Sequence, residues 1–508
     1  MSAPNNFSIS FRDEYQRRIY DEIIKFINNP EKSTLLISAP PGTGKTYITI
    51  TALLNNFNGR IVVVLRTHTQ QEHYKKILPM EEYLALRGME SFCKIPQVIY
   101  HPLKHQLCQW MRRMGKCKGC LYQYQFIEAK RKRVISLLYS HLSTPLHDLL
   151  NSAEIIIFDE YQNLIPNEKT LNWTVIQLAE AELGSKIDLN SKSSIIKNLA
   201  TWKELGLKIW SKKGYSYLLE LSNILSSLLL KNTWIYKKGE NYGYLDVSAY
   251  EYALKLPTKK IFISATPLPE INGLLSYDQI VEITPTLKNV LFLIFDAFSL
   301  PYYKRYDKKV REVIIKLVDI VSTYRSAIFL PSKTVKDLLF KKLPSNITED
   351  IKDFMNNTNK SALLIAGGKY SEAIDLPNLD IITIVGIPYE EPIHINPGLK
   401  QLFKYYKLYN VKVRRLFYDY KAILKVIQAI GRGIRRVDQR LLVIFADKRY
   451  TEERIFDLFP TWLKSQVFLR IDDFDILKEL IIRWNLKLPI KRYFKMLEVK
   501  DLLKRKVK

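Results

Sequence analysis

Three groups of residues in this chain have the types and spacing to do chemistry. The first is Ala39-Pro40-Pro41-Gly42-Thr43-Gly44-Lys45-Thr46, between the apolar run Leu35-Leu36-Ile37 and a helix-compatible segment, Tyr47 to Leu54. Strand, glycine loop and helix in that order make a phosphate cradle. Gly42 and Gly44 let the backbone turn its N–H groups inward, Thr43 lies between them, Lys45 brings a mobile charge, and the Thr46 hydroxyl can ligate Mg²⁺. Ala39 stands where the first glycine of the pattern is usual. The second group is Asp159-Glu160 after Ile155-Ile156-Ile157-Phe158. An aspartate at a strand end can hold the Mg²⁺ shell, and the glutamate beside it can orient and deprotonate an attacking water. An Asp-Glu pair is also an ordinary polar strand end; the phosphate loop upstream favours the catalytic reading.

The third group is the cysteines. All four in the chain, Cys93, Cys108, Cys117 and Cys120, fall within 28 residues, which suggests one four-thiolate metal site. Zinc usually shows two Cys-x-x-Cys knuckles, and here Cys117-Lys118-Gly119-Cys120 alone has that form. An iron–sulphur cluster tolerates irregular spacing because each thiolate serves a different corner. The cluster is therefore favoured over zinc, with disulfides ranked below both. Lys94, Arg112, Arg113, Lys116 and Lys118 surround the cysteines; their charge offsets thiolates and can also face a phosphate backbone.

The elements that must position these groups follow from periodicity. Phe7 to Asn28 reads as a helix with Ile19, Ile23, Ile24 and Ile27 on one side. Gln16 on it is a candidate for reading an adenine edge, with a solvated helix glutamine as the plainer alternative. Arg60 to Leu65 is a buried-type strand ending in Arg66-Thr67-His68-Thr69, where open α/β sheets place ligands; these residues are candidates for nucleic-acid phosphate. Leu164 to Pro257 is leucine-rich, helix-compatible and without buried-type strands, and reads as a helical insertion. Its Trp234 region is more naturally core than a base-stacking platform. The sheet pattern resumes at Lys260 to Thr266, with Ser264 and Thr266 at the strand end as candidates to couple nucleotide and nucleic acid.

A second α/β unit begins near Leu287, with strands around 327–330, 362–366, 381–385 and 441–445 and no phosphate loop of its own. Gln428, Arg432 and Arg435 fall at i, i+4 and i+7, one face of a helix, with Gly431 and Gly433 permitting close approach. Two arginines from a domain lacking an NTP site are candidates to complete the site of the first domain. The alternative is a basic surface helix. Gly367 to Asp375, which includes Glu372, is a strand-to-helix turn placed to meet both partners. Lys491 to Lys508 reads as a basic solvated or frayed end.

Composition bounds the rest. A 508-residue chain with 47% hydrophobic residues supports several packed domains, and 78 Lys and Arg against 51 Asp and Glu give +27, a balance that favours a polyanionic partner. No apolar run approaches a membrane span and no signal-peptide core opens the chain. The expectation is an intracellular, cytoplasmic protein without membrane contact, in the host cytoplasm if the chain is viral.

Taken in order, these motifs resemble the iron–sulphur XPD/DinG-type branch of superfamily 2 DNA helicases, most closely the compact archaeal XPD-like proteins. The resemblance rests on residues 39–46, 66–68, the cysteines, 159–164, 264–266, 371–375, 385–389 and 428–435. It implies an α/β fold of two RecA-like motor domains, the first from 1–87, 126–162 and 258–286 and the second from 287–508. A 4Fe-4S insertion would cover 88–125 and a helical arch 163–257. It implies ATP-driven 5′-to-3′ movement on single-stranded DNA by a monomer, with unwinding of forked duplex. Lys45, Thr46, Asp159 and Glu160 then serve ATP and Mg²⁺, Arg432 and Arg435 sense the nucleotide, and the four cysteines hold the cluster. Tyr161-Gln162 replace the usual Ala-His, and Ala373 replaces a usual glycine. The first change keeps open a translocase or protein-stripping ATPase without strong unwinding. A zinc-containing nucleic-acid scaffold with a vestigial ATP site is the reading from another class. Repair, replication, viral and defence pathways all remain open.

Overall fold

The apolar runs fold as buried strands because both of their faces are covered. In the computed structural model, the residues described are 10–117, 119–143, 147–165, 168–230, 233–245, 248–268, 275–340, 342–368, 376, 378–392, 394, 396–434 and 439–488. One seven-stranded sheet contains β1 (Thr34–Ser38), β2 (Ile61–Leu65), β3 (Tyr83–Ala85), β4 (Val134–Leu138), β5 (Ile155–Asp159), β9 (Lys259–Ser264) and β10 (Gln279–Glu282), in the order β10-β1-β9-β5-β2-β4-β3. β2 pairs in parallel with both β4 and β5. Helices α1 (Glu14–Asn28), α2 (Lys45–Asn56) and α3 (His68–Ile77) carry the first motifs. The first helix is shorter than its periodicity suggested, because Asp13 caps it by accepting from the Gln16 N–H.

The second sheet, of β11 (Val290–Phe295), β12 (Ser326–Leu330), β13 (Ile347–Thr348), β14 (Ser361–Ile365), β15 (Ile381–Val385), β16 (Leu441–Ala446) and β17 (Phe468–Ile471), runs β13-β14-β12-β15-β16-β11-β17 with parallel pairings throughout. Its alternation divides one strand between two cores. Phe292 and Ile294 of β11 join Phe329 of β12 on one face, while Leu293 and Phe295 join Ile328 and Leu330 on the other. Each such side chain is worth roughly 1.5–3 kcal/mol when fully buried, and together they make the sheet a rigid platform for the loops at its ends.

The chain divides into two compact units. One comprises 1–57, 262–392 and 412–508, and the other 58–261 and 393–411. Within the second unit, α4 (Lys104–Arg113) carries Cys108, and α5 (Trp173–Leu183), α6 (Lys192–Lys213) and α7 (Tyr217–Leu230) form the helical insertion. These helices pack around Ile176, Ile195, Trp202, Leu218, Leu221 and Leu225. Trp234 lies at the edge of that core with its indole N–H donating to the Leu189 carbonyl, as a core aromatic would. The insertion also holds a small antiparallel sheet, β6 (Glu168–Leu171), β7 (Tyr236–Lys238) and β8 (Asn241–Leu245), in the order β6-β8-β7. β6 and β7 are mostly exposed and β8 is partly buried, so they lack the apolar runs that mark buried strands in a sequence.

The cysteine-bearing segment is fastened to the insertion. Gln106 donates to Glu220 at 3.0 Å and accepts from the Ser216 N–H at 2.9 Å, and the Trp110 indole donates to the Ser211 carbonyl at 3.1 Å. Gly214 has φ +85, and a Cβ there would lie 2.7 Å from the Trp110 ring, so the turn must be glycine.

The segment 393–411, which joins β15 to the helix preceding β16, also belongs to this second unit. Its helix α8 (Pro397–Tyr405) seats Gly398 so closely that a Cβ would lie 2.7 Å from the Tyr236 hydroxyl. Gln401 accepts from the Trp234 N–H, and the Tyr405 hydroxyl donates to Glu251. Among the described residues, no helix is long and apolar enough to cross a membrane.

Candidate nucleotide and nucleic-acid sites

The phosphate loop is shaped by two left-handed glycines. Gly42 and Gly44 have φ +76 and +74, and Gly44 caps α2 without a side chain. A Cβ on Gly44 would fall 2.6 Å from the Gln16 amide nitrogen. Gln16, 6% exposed, donates to the Thr43 carbonyl at 3.0 Å and accepts from the Arg12 N–H at 3.0 Å, while the Arg12 guanidinium donates to the Gly42 carbonyl at 2.9 Å. The solvated-glutamine alternative is thereby excluded: α1 clasps the backbone of the loop from outside. The Thr43 hydroxyl donates to the Pro40 carbonyl, and Lys45 is buried at the start of α2, where Thr46 follows. The free N–H groups of a helix start beside a lysine form an anion site.

Elements of the second sheet meet this loop within the same unit. The helix α9 (Val411–Ile430) carries Gln428 and stops at Ile430. Its last turn loosens through Gly431 and Gly433, whose N–H groups still reach Ile427 and Ile430 carbonyls. The sequence placed Gln428, Arg432 and Arg435 on one continuous helix face. The regular helix instead ends before Arg432, because two glycines carry a high cost in helical geometry. Arg432 sits in the turn that follows, and Arg435 lies outside the described residues, as do Glu372 and 491–508. A Cβ on Gly431 would lie 3.0 Å from Pro41 of the phosphate loop, so the turn bearing Arg432 begins against the cradle.

Ser264 and Thr266 are buried to 0% and 1% exposure. The Ser264 carbonyl accepts from the Ala39 N–H, the Thr266 carbonyl accepts from the Tyr420 hydroxyl at 3.0 Å, and the Ala265 carbonyl accepts from the Trp462 indole at 2.8 Å. This strand end therefore joins the phosphate loop to helices of the second sheet. Its side chains are enclosed by protein and present nothing to an outside ligand in this arrangement.

In the other unit, β5 ends in Asp159, which is 3% exposed, and Glu160 follows with φ +54 and ψ +53. A non-glycine residue in this region costs about 1–3 kcal/mol and persists where the surroundings hold it. Here Asn163 donates to the Glu160 carbonyl at 2.7 Å, and the buried Gln162 amide donates to the Glu160 carboxylate. Glutamine at this position orients the carboxylate without carrying a titrating charge of its own. Beside it, Arg66 closes β2, and Thr67 and Gln70 form a reciprocal capping box at the start of α3. His68 is exposed, with Nδ1 2.8 Å from the Gln71 side-chain oxygen. Arg66, Thr67 and His68 thus cluster at one helix start, a place suited to phosphate.

The cysteine segment has few apolar side chains to hold it. Met89, Val98 and Cys108 are its buried cluster, with Cys93, Ile95, Leu107, Met111 and Tyr122 partly buried against them. Gly119, φ +64, turns the chain between Cys117 and Cys120. Burial, then the neighbouring Cys120, Cys93 and Cys117 thiols, push the Cys108 thiol up to about 11. Burial, followed by Cys120, also raises Cys117. Among the described residues no three His, Cys, Asp or Glu side chains stand together as a metal-holding group. The four thiols nevertheless act on one another. The four thiols are the donor type that a four-thiolate cross-link would use, and a core this small is of the kind such links stabilise.

Comparison with known proteins finds helicase likenesses. Residues 9–183 match the family model described as the type III restriction enzyme res subunit, and residues 317–466 match the helicase C-terminal domain. The ATP-dependent DNA helicase CHL1 of Candida albicans is 24% identical over 212 residues, 34% of this chain and 25% of that protein. CHL1 of Debaryomyces hansenii is 27% identical over 171 residues, 30% of this chain and 20% of that protein. The matched region thus spans a quarter or less of the curated relatives. A solved XPD helicase structure covers 91% of this chain and all of its own, with TM-score 0.64 at 19% identity. S. tokodaii Xpd4 covers 90% of this chain and all of its own, with TM-score 0.60 at 15% identity. The chain thus resembles helicases in two separate regions of its sequence, and it shares its fold with the solved XPD structures.

Proposed function

We propose that this XPD-like chain is a DNA-dependent ATPase that moves 5′ to 3′ on single-stranded DNA and opens forked duplex, acting as a monomer. The observation that carries the ATPase reading is the approach of Gly431 to Pro41. It supports Arg432, and Arg435 beyond it, as groups that neutralise charge building on a transferring phosphoryl. Lys45 and the α2 N–H groups, with Gly42, Thr43 and Gly44 shaping the loop, hold the β- and γ-phosphates. Thr46 and Asp159 hold Mg²⁺, which when bound neutralises phosphate charge. Glu160, steadied by Gln162, aligns the water and takes its proton. Gln16 rigidifies the loop and is the group proposed to read an adenine edge. Gln428 lies on the approach to the arginine turn.

Arg66, Thr67, His68 and Glu372 contact the strand, and Ser264 and Thr266 relay loop movement to the second sheet rather than binding DNA directly. The motor domains are 1–87 with 126–162 and 258–286, and 287–508, with insertions 88–125 and 163–257. Cys93, Cys108, Cys117 and Cys120 hold a 4Fe-4S cluster whose contribution is to cross-link the small insertion at the point where strands part.

The test is anaerobic purification with iron and sulphide analysis, followed by ATPase assays with and without single-stranded DNA and unwinding of forks with a single 5′ or 3′ tail. Iron near four per chain, strong DNA stimulation and opening of 5′-tailed forks are expected. One zinc with no stimulation would overturn the reading in favour of a nucleic-acid scaffold. Stimulation without fork opening would narrow it to a translocase.

A further inference from the structure

Tyr139 follows β4 directly, and its hydroxyl donates to the Asp159 carbonyl at the end of β5, at 2.9 Å. Because β2 lies between β4 and β5, the side chain and its hydrogen bond together bridge two strand intervals, about 9.6 Å, across the end of β2. Arg66 at that end acts electrostatically on the same hydroxyl.

The bond falls at a sensitive place. The Asp159 carbonyl shares a rigid plane with the Glu160 N–H, so holding the carbonyl fixes the φ of Glu160, which is +54. Asn163 fixes the next carbonyl. The left-handed conformation that aims the Glu160 carboxylate is therefore clamped at both of its peptide planes, one of them by Tyr139.

The other end of the connection reaches the candidate strand-binding loop. His68 meets Gln71, whose amide donates to the Leu86 carbonyl at 3.0 Å and to Ser136 of β4 at 3.3 Å. The Tyr83 hydroxyl ties Ser136 and Gln71 together. Tyr74, on the same helix as His68, is 1% exposed, and among the described residues its hydroxyl has no hydrogen-bond partner. Asp159 is among the charges that act on it. A buried hydroxyl with no partner is costly and leaves a donor available to a second arrangement of this strand end.

We propose that Tyr139 is a positioning residue that makes the aim of Glu160 depend on whether a nucleic-acid phosphate occupies Arg66-Thr67-His68. This rests on the DNA-dependent ATPase reading above. Its action runs through the Asp159 carbonyl, and Tyr139 itself touches neither nucleotide nor strand. The coupling is tested by a shared loss of function rather than by proximity.

The experiment uses the full chain with Tyr139→Phe, which keeps the ring and removes the donor, together with Arg66→Ala and the double variant. ATP turnover is measured against ATP concentration, with and without oligothymidylate. Tyr139→Phe is expected to leave KM for ATP within about twofold and to cut DNA-stimulated kcat about tenfold, the effect of losing one well-placed hydrogen bond. The double variant should lose little more than the worse single one. Undiminished stimulation in Tyr139→Phe would overturn the proposal. So would equal losses of basal and stimulated turnover, which a merely structural role produces, or losses that multiply in the double variant. An unstimulated wild-type chain would instead overturn the DNA-dependent reading on which the proposal stands.

Discussion

Replacing Gly431 by alanine should separate activity from stability. Its φ lies outside the left-handed region, so alanine meets no backbone strain, but the new Cβ would lie 3.0 Å from Pro41 and 3.3 Å from the Ile427 carbonyl. Relaxed contact between carbons needs about 3.5–4.0 Å, so the turn and the phosphate loop must part by roughly 0.5–1 Å. Alanine for glycine at a backbone position it can adopt also gains about 0.4–1 kcal/mol by restricting the unfolded chain, which offsets the strained contact and leaves net stability within about 1 kcal/mol. Catalysis has no such offset. A misplacement of about 1 Å can cost on the order of 100-fold, so half that shift gives roughly tenfold. The expected outcome is a thermal unfolding midpoint close to wild type with kcat down about tenfold and KM for ATP little changed. Steady-state ATPase beside calorimetry reads both. A variant with full kcat would refute the idea that this contact sets the spacing of the arginine turn and cradle, and a large fall in the midpoint would show that the contact is chiefly structural.

Lys45→Ala should abolish ATP hydrolysis while leaving the fold intact, as measured by phosphate release and circular dichroism. Cys117→Ser should remove visible absorbance and impair fork opening while sparing much of the ATPase activity, because the small core around Cys108 loses its cross-link. Acid should weaken the unit that contains His141. Burial, then His68 and Arg87, lower His141 to about 4, and its Nδ1 accepts from the Leu138 N–H. The unfolded chain binds this proton first, so the stability is present in full above about 6.5 and falls as pH drops toward 4, by at most about 3 kcal/mol. Urea titrations from pH 7 to 4 should show a shallower fall in His141→Gln than in wild type.

The motifs that could be read from the sequence are those whose parts lie within a few residues of one another. A phosphate loop is a strand end, two glycines and a helix start in eight positions, and local geometry alone decides it. Gln16 was visible as a residue near that loop, but not as its clasp, because its bonds to Thr43 and Arg12 depend on how α1 packs. Tyr139 carried no signal at all, being one tyrosine among 31. Its meaning comes from strand order, which places the ends of β4 and β5 on either side of β2. The helix face drawn through Gln428, Arg432 and Arg435 extended their i, i+4, i+7 spacing past Ile430, where two glycines outweigh it. The small sheet of the insertion escaped notice for a related reason: strands only four or five residues long, with few fully buried side chains in β6 and β8, leave little periodic pattern.

The excursion of residues 393–411 into the unit of the helical insertion bears on how such a chain can be altered by evolution or by engineering. Two stretches far apart in the gene, 163–257 and 393–411, share one packed interior through Gly398, Gln401 and Tyr405. The insertion is therefore not a cassette that recombination can exchange at its two ends. Grafting a relative's insertion without its matching excursion would set an unrelated surface against Gly398, which has no room even for a methyl group. The two stretches should be inherited, deleted and transplanted together.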